Sequence, residues 1–290
     1  MGSTNIRDIA SLPMTLVIFT CEGREHLLYN TFNSFKASCN YSFFKTVLAI
    51  DGKINPGVID HIQPDVVIQS PVRKGYVNNI LQALAQIDTH YFFWLEDDWK
   101  FHTKIDLSSI TERLIAHPNW VEIIYNKNGP LTADEKKTHL EDNLYQTPYG
   151  FSANPCICRT AFIKDGFSNL LSEPKGDKLG EDGFENSLSK YFKKQNLICV
   201  FHDPVDHTVI SHEGYLESTP RNWHMTNSLD QKTEKHLLTI TKPSLVRKLA
   251  MILKLTGTFL KLSFRQLVND EIYEFCFRII ASAKTIKKDE

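Results

Sequence analysis

Residues Tyr91 to Trp99 read YFFWLEDDW: five apolar or aromatic residues run without a break into the carboxylates Glu96, Asp97 and Asp98, and another aromatic closes the stretch. A run of that length with no polar alternation has no face to offer to water, so it belongs inside a parallel sheet covered on both sides. Ligand sites in such sheets lie just beyond the carboxyl ends of the strands. The three acids therefore stand where chemistry is usually done. Crowded carboxylates raise one another's pKa unless a cation is shared among them, and oxygen ligands suit a hard divalent ion such as Mg²⁺ or Mn²⁺. The competing reading is a solvated acidic turn.

The rest of the chain supplies a matching sheet. Met14 to Thr20, MTLVIFT, has strand length and β-branched content, and is followed by Arg24 to Lys36 with Leu27, Leu28, Phe32 and Phe35 at helical spacing. Thr46 to Ile50 is a second strand ending at Asp51-Gly52, and Asp65 to Gln69 a third. Gly75 then opens a helix carrying Val77, Ile80, Leu81, Leu84 and Ile87. Leu107 to Ala116 reads as a helix, Trp120 to Tyr125 and Pro155 to Arg159 as strands, and Thr160 as the start of another helix. A helix from Glu181 to Lys194 and a strand from Leu197 to Phe201 follow. Strands alternating with helices predict an α/β fold, a mainly parallel, doubly wound (Rossmann-like) sheet flanked by helices. We place this domain at 1–240 and a C-terminal helical extension at 241–290. The polar stretch Asn126 to Gln146 reads as a mobile excursion with a binding role.

Hydrophobic residues at 42% and charged residues at 23% provide for a substantial core. A net charge of -1 argues against a general nucleic-acid binder, and no nucleic-acid partner is expected. Cys21, Cys39, Cys156, Cys158, Cys199 and Cys276 lack zinc-type spacing and read as reduced, buried thiols, with Cys156 and Cys158 on one face of a strand. The N-terminal MGSTNIRDIASLP has no apolar core of signal-peptide length, so a cytoplasmic location is the expectation.

Two further groups carry candidate chemistry. Glu181 and Asp182, between Gly180 and Gly183, open a predicted helix, where the dipole and unpaired backbone donors favour an ionised carboxylate able to accept a proton; a capping acid is the alternative. His202, His207 and His212 recur every five residues, and Pro204 opposes a helix there. One of them completing a metal held by the acids is the functional reading, and a buried structural histidine the other. Arg73, Lys74 and Arg221 stand near predicted loop ends, either contacting a diphosphate or as solvated surface charges.

Taken in order, the first strand with Thr20, Glu22 and Arg24, the second ending in Asp51-Gly52, the acids Glu96-Asp97-Asp98 and the later Glu181-Asp182 resemble the GT-A fold of nucleotide-sugar glycosyltransferases, closest to the inverting family-2 type. The resemblance spans roughly Met14 to His212. It implies that Thr20, Glu22 and Asp51 hold the nucleoside, that Asp98 is the principal metal ligand with Glu96 or Asp97 on the sugar nucleotide, that Asp182 is the catalytic base, and that His207 or His212 joins the metal, Mn²⁺ or Mg²⁺. Arg24, Arg73 and Lys74 fall in the same nucleotide-sugar set. The chain departs from the family where Phe19 and Glu22 replace a usual Pro and Asn, and where a single Asp51 replaces a double Asp. The implied partners are a nucleoside-diphosphate sugar and a glycan or lipid-linked acceptor. Rival readings are a nucleotidyltransferase, which would need a glycine-rich phosphate loop that CEGRE lacks, and a catalytically inert glycan-binding or membrane scaffold of the same fold.

From Ser244 to Val268, Arg247, Lys254, Lys261 and Arg265 return to one helical face, opposite Leu245, Leu249, Ile252, Leu253, Phe259, Leu260 and Leu267. The recurring charges exclude a spanning helix. A helix lying on an anionic membrane at the inner face of the plasma membrane fits the pattern, and so does one packed on the catalytic domain or on a second subunit of a homo-oligomer.

Overall fold

The structure, a computed structural model, describes residues 12–125, 131, 133–172, 179–203, 208–213 and 257. The chain divides into two units, Met1–Leu237 and Leu238–Glu290. In the second, Gly257 is helical, and the expected basic helix otherwise lies outside the described residues, as do His207 and Arg221. Among the described residues no helix is long and apolar enough to cross a membrane.

The first unit runs β1 (Met14–Cys21), α1 (Glu25–Ser38), β2 (Lys45–Asp51), α2 (Pro56–Ile62), β3 (Val66–Gln69), α3 (Tyr76–Leu84), β4 (Tyr91–Glu96), β5 (Trp99–Phe101), α4 (Leu107–Ala116) and β6 (Trp120–Tyr125). It continues with α5 (Ala133–Lys136), β7 (His139–Glu141), β8 (Leu144–Gln146), β9 (Cys156–Arg159), α6 (Thr160–Ser172), α7 (Leu179–Lys194), β10 (Ile198–His202) and β11 (Ile210–His212). Nine strands form one sheet in the order β3-β2-β1-β4-β9-β6-β10-β8-β7, and β11 pairs with β5 in a small second sheet.

The continuous apolar runs are explained by burial on both faces. Side chains alternate across a strand, so Val17, Phe19, Val47, Ala49, Phe92 and Trp94 join one core with Val77 and Ile80 of α3, Ile163 and Phe167 of α6 and Leu188 of α7. Leu16, Ile18, Leu48, Ile50, Phe93 and Leu95 join the other, with Phe32 and Phe35 of α1, Val58 of α2 and Leu114 of α4. Each of the Val, Leu, Ile and Phe side chains among them contributes about 1.5–3 kcal/mol when withdrawn from water. The flanking helices are started by ordinary caps: Asn55 accepts from Gly57 N ahead of α2, with Pro56 at its first turn, and Asp106 accepts from Ser109 N ahead of α4.

Direction within the sheet positions the site. β3, β2, β1 and β4 are mutually parallel, and β9 is antiparallel to both β4 and β6. β6 and β10, parallel to each other, therefore regain the direction of β4. The carboxyl ends of β1, β2 and β4 share one edge, and the reversed β9 brings the residues just before it to that same edge. Of the polar stretch read as an excursion, residues 133–146 hold α5 and the β7–β8 hairpin, and β8 finds a partner in β10, pairing Val200 with Gln146 and His202 with Leu144; 126–130 and 132 lie outside the described residues.

Candidate active site

β1 and β4 are aligned with Phe19 opposite Glu96, so Thr20 and Asp97 emerge together at the strand ends. Thr20 Oγ1 donates to Asp97 Oδ2 at 2.6 Å, Arg24 Nε to Asp97 Oδ1 at 2.9 Å, and Arg24 Nη2 to Asp98 Oδ2 at 2.5 Å. Arg24 sits at the N-cap of α1, which leaves its side chain pointing back over the acids. Thr31 of α1 fastens the acidic turn by donating to Asp97 O at 2.7 Å and accepting from Trp99 N at 2.9 Å. β11 then delivers the histidine. His212 lies opposite Trp99, Glu213 N donates to Asp98 O at 2.8 Å, and His212 Nε2 comes within 3.0 Å of Asp98 Oδ2 with its ring stacked on Trp99.

Asp97 and Asp98 are almost fully buried, 4% and 6% exposed, yet they titrate in opposite directions. Burial raises the Asp98 carboxyl, but His212 and Arg24 outweigh it and hold the pKa below the ordinary value. Burial lifts Asp97 to about 6 against the pull of Arg24. Glu96 rises to about 8 through burial and then Asp98, while the Tyr76 hydroxyl, donating to Glu96 Oε1, works the other way. Asp98 Oδ1 is buried with no hydrogen-bond partner among the described residues.

The second wall is the loop before α3. Asp51, 3% exposed, accepts from Lys74 N at 2.6 Å and Gly75 N at 3.1 Å, so its carboxylate serves as an anchor for that loop. Gly75 has φ of 93°, a conformation a side chain would strain, and it turns the chain into α3. Arg73 lines the cavity, with Nε 3.9 Å from Asp51.

The third wall is the 150–154 loop. Three successive backbone N–H groups are each taken by a side chain: Phe151 by Ser189 Oγ at 2.9 Å, Ser152 by Glu122 Oε1 at 3.0 Å, and Ala153 by Glu185 Oε1 at 2.6 Å. Gly150, with φ of 82°, lies so close to Ser189 that a Cβ there would collide with its hydroxyl. The loop is thus strapped to α7 through Ser189 and Glu185 and to β6 through Glu122. Together the three walls enclose a cavity of about 250 Å³.

Of the residues singled out from sequence, Thr20, Arg24, Asp51, Arg73, Glu96, Asp97, Asp98 and His212 line this cavity. Glu22 and Lys74 do not. Glu22 is exposed and caps the neighbouring turn by accepting from Lys53 N at 3.0 Å, while Lys74 contributes its backbone N–H to Asp51. Arg24 is engaged by the acids themselves. Asp182 falls in the first part of α7, which breaks at Gly183 (φ 69°, ψ 164°) rather than opening as one helix, and its side chain lies outside the described residues. Tyr76, Ser152, Asn154 and Glu185 also line the cavity, although their sequence context does not single them out. Glu185 stands three residues beyond Asp182, and that proximity to the acidic pair is the available signal.

A divalent ion is implied by the resemblance, and the donor set fits one. Asp98 offers a buried acceptor oxygen that has no partner among the described residues, His212 an imidazole ring beside the same carboxylate, and Glu96 a further carboxyl group on the same cavity.

No protein-family model matches the chain, and no curated protein matches it. Among solved structures it is similar to that of GalNAc-T7 with UDP, GalNAc and Mn²⁺, at 14% identity and TM-score 0.49, covering 73% of this chain and 47% of that one. It is also similar to residues 1–349 of S. aureus TarS in complex with UDP, at 15% identity and TM-score 0.47, covering 69% and 60%, and to S. aureus TarS, at 12% identity and TM-score 0.48, covering 80% and 40%. The chain spans between 40% and 60% of the length of these structures. The mainly parallel sheet flanked by helices, which the GT-A resemblance implies, is the architecture observed.

Proposed function

We propose that the protein is a metal-dependent, inverting glycosyltransferase of GT-A fold, moving a sugar from a uridine-diphosphate donor to a hydroxyl of a glycan or glycolipid acceptor in surface polysaccharide synthesis. The observation that supports this most is Asp98: a buried carboxylate just beyond β4 that lines the cavity, its pKa held down by His212 and Arg24, with one oxygen that has no hydrogen-bond partner among the described residues.

Asp98 and His212 would hold Mn²⁺ or Mg²⁺, and when bound the ion supplies positive charge to the diphosphate as the glycosidic bond breaks. Arg24 bridges Asp97 and Asp98 and offsets their mutual repulsion. Thr20 and Asp97 face the donor's ribose, and the loop anchored by Asp51 carries Arg73 toward its phosphates. The acceptor hydroxyl is a poor nucleophile until a base takes its proton from the face opposite the leaving group. Asp182 is that base. Glu185 is the second candidate, since its side chain lines the cavity three residues further on, past the break at Gly183.

Titration of nucleoside diphosphates with and without Mn²⁺, read by thermal shift, tests the donor assignment, because a ligand selective for the native state raises its stability. Stabilisation by UDP that requires the ion is the expected result; indifference to every nucleoside diphosphate would favour an inert scaffold. Asp98→Ala is expected to lose the Mn²⁺-dependent shift and transfer together, with turnover falling at least about 10²-fold. Asp182→Asn is expected to keep the shift and lose turnover; if turnover persists there and vanishes in Glu185→Gln, the base is Glu185. We extend the proposal to the basic segment 244–268 as an anchor on anionic membrane, checked by liposome sedimentation with and without the residues after Lys242.

A further inference from the structure

A second group of reactive side chains lies inside the sheet, away from the acids at its edge. Glu122 is in the middle of β6 and 0% exposed. Its register neighbours are Cys158 on β9 and Cys199 on β10, and Cys156 is two residues along β9 on the same face. All three thiols belong to the apolar core under α6 and α7. The Cys156 and Cys158 sulfurs are 3.3 Å apart, and one ligand atom each from Glu122, Cys156 and Cys158 all lie within 4.8 Å of one another.

Among the described residues Glu122 has no ion pair: Oε1 accepts the Ser152 N–H, and Oε2, buried, has no hydrogen bond of ordinary geometry although the Cys156 and Cys199 thiols stand beside it. An ionised carboxylate among apolar groups is so unfavourable that it neutralises or acquires a cation. As the cluster stands, burial pushes Glu122 well above the carboxylate range and pushes all three thiols up. A thiophilic cation reverses that balance, because a coordinating thiol gives up its proton outright.

We infer that Cys156, Cys158 and Glu122, with Cys199 beside them, form a buried structural site for a thiophilic divalent cation of the Zn²⁺ class, tying β9 to β6 beneath the cavity wall. On loading, the Cys156 and Cys158 thiol protons and the Glu122 carboxyl proton leave to solvent, the ion's two charges meet two thiolates and the Glu122 Oε2 carboxylate oxygen, and the Ser152 N–H on Oε1 takes up part of the remaining negative charge. Bond lengths of about 2.3 Å to sulfur in a tetrahedral site place two sulfurs about 3.8 Å apart, so the pair needs to open by a few tenths of an ångström. Glu122 Oε1 meanwhile keeps the Ser152 N–H, so the ion would also steady the 151–153 loop that walls the cavity. This site is independent of the proposed transferase activity: its ligands are sulfur-rich, where the edge site offers oxygen and imidazole.

The test is metal analysis of the full chain purified from zinc-replete cells and dialysed against EDTA. About one equivalent of zinc per chain is expected, with sulfur in its coordination shell by X-ray absorption of the wild-type protein. Replacement by Co²⁺ is expected to give the thiolate-to-metal charge-transfer absorption in the near ultraviolet, retained in Asp98→Ala and lost in Cys156→Ser and Glu122→Gln. A folded wild-type chain without zinc, or zinc with an oxygen and nitrogen shell alone, overturns the inference, and neither reading depends on whether the cysteine variants fold. Zinc retained by a folded Cys156→Ser/Cys158→Ser chain overturns it too.

Discussion

Asp97 and Asp98 at the end of β4 and Glu122 in the middle of β6 are acids of nearly equal burial treated in opposite ways. The edge pair is met by Arg24 from the start of α1 and His212 from β11, because beyond a strand end loops and helix termini can bring in charge from far along the chain. A residue inside a strand is surrounded mainly by its cross-strand neighbours and by whatever packs on its face of the sheet, and for Glu122 register has placed thiols there, with the Ser152 N–H as its one hydrogen-bond donor of ordinary geometry among the described residues. Position within the sheet, more than depth, decides which partners an acid acquires. At the edge that yields charged, ligand-facing groups; inside it yields a soft, closed cluster.

The comparison predicts its largest effect at Arg24. Removing one member of a buried charged group leaves the others uncompensated, at a cost of about 3–5 kcal/mol. Arg24→Ala should therefore lower the urea midpoint sharply, and Arg24→Lys should recover part of the loss, since the Lys ammonium keeps the charge but not the fork that reaches Asp97 and Asp98 together. A midpoint unchanged in Arg24→Ala would mean that the edge acids are held by something other than this cation. Asp51 ranks next. Its partners are backbone N–H groups, so Asp51→Ala should cost about 1–3 kcal/mol by leaving the Lys74 and Gly75 donors unmet, and should weaken nucleotide binding by loosening the loop that carries Arg73. Denaturation and thermal shift on one variant measure the two effects separately.

How far these relations are legible in the sequence depends on how local they are. α4 and β6 agree residue for residue with the spans read from periodicity, because burial on one or both faces writes itself directly into the pattern. The reversal of β9 has no such trace: CICR is equally apolar in either direction, and only its pairing with β4 and β6 orients it. The β7–β8 hairpin is hidden for a related reason. Its residues are mostly polar and partly exposed, and β10 supplies the pairing that makes them strands. In the site, the edge acids stand out as charge ending an apolar run, whereas the role of Arg24 in neutralising them depends on how α1 packs. Tyr76 and Glu185 reach the cavity only through the placement of α3 and α7. Glu122 does carry a signal, a lone acid inside the otherwise apolar WVEIIY, but only the sheet register shows that thiols surround it.

The smallest effect expected concerns thiols and leaves stability untouched. Cys21 ends β1 at the cavity, partly open to solvent, with burial and then Asp97 raising its pKa from 9.0 to about 11. Only the thiolate reacts with an alkylating reagent, so a rise of that size leaves about 100-fold less of it at neutral pH than in a free cysteine. Alkylation of Cys21 should be slow at pH 7 and rise about tenfold for each step of one in pH until the thiol has ionised. Cys156, Cys158 and Cys199 are buried at 0–4% exposure, so the reagent must wait for the sheet to open, and their labelling should follow global unfolding. Peptide mass spectrometry over a pH series separates the two behaviours. If the sheet thiols were labelled as readily as Cys21 in the native protein, the interior cluster would be accessible, and the contrast between edge and interior would fail at its interior end.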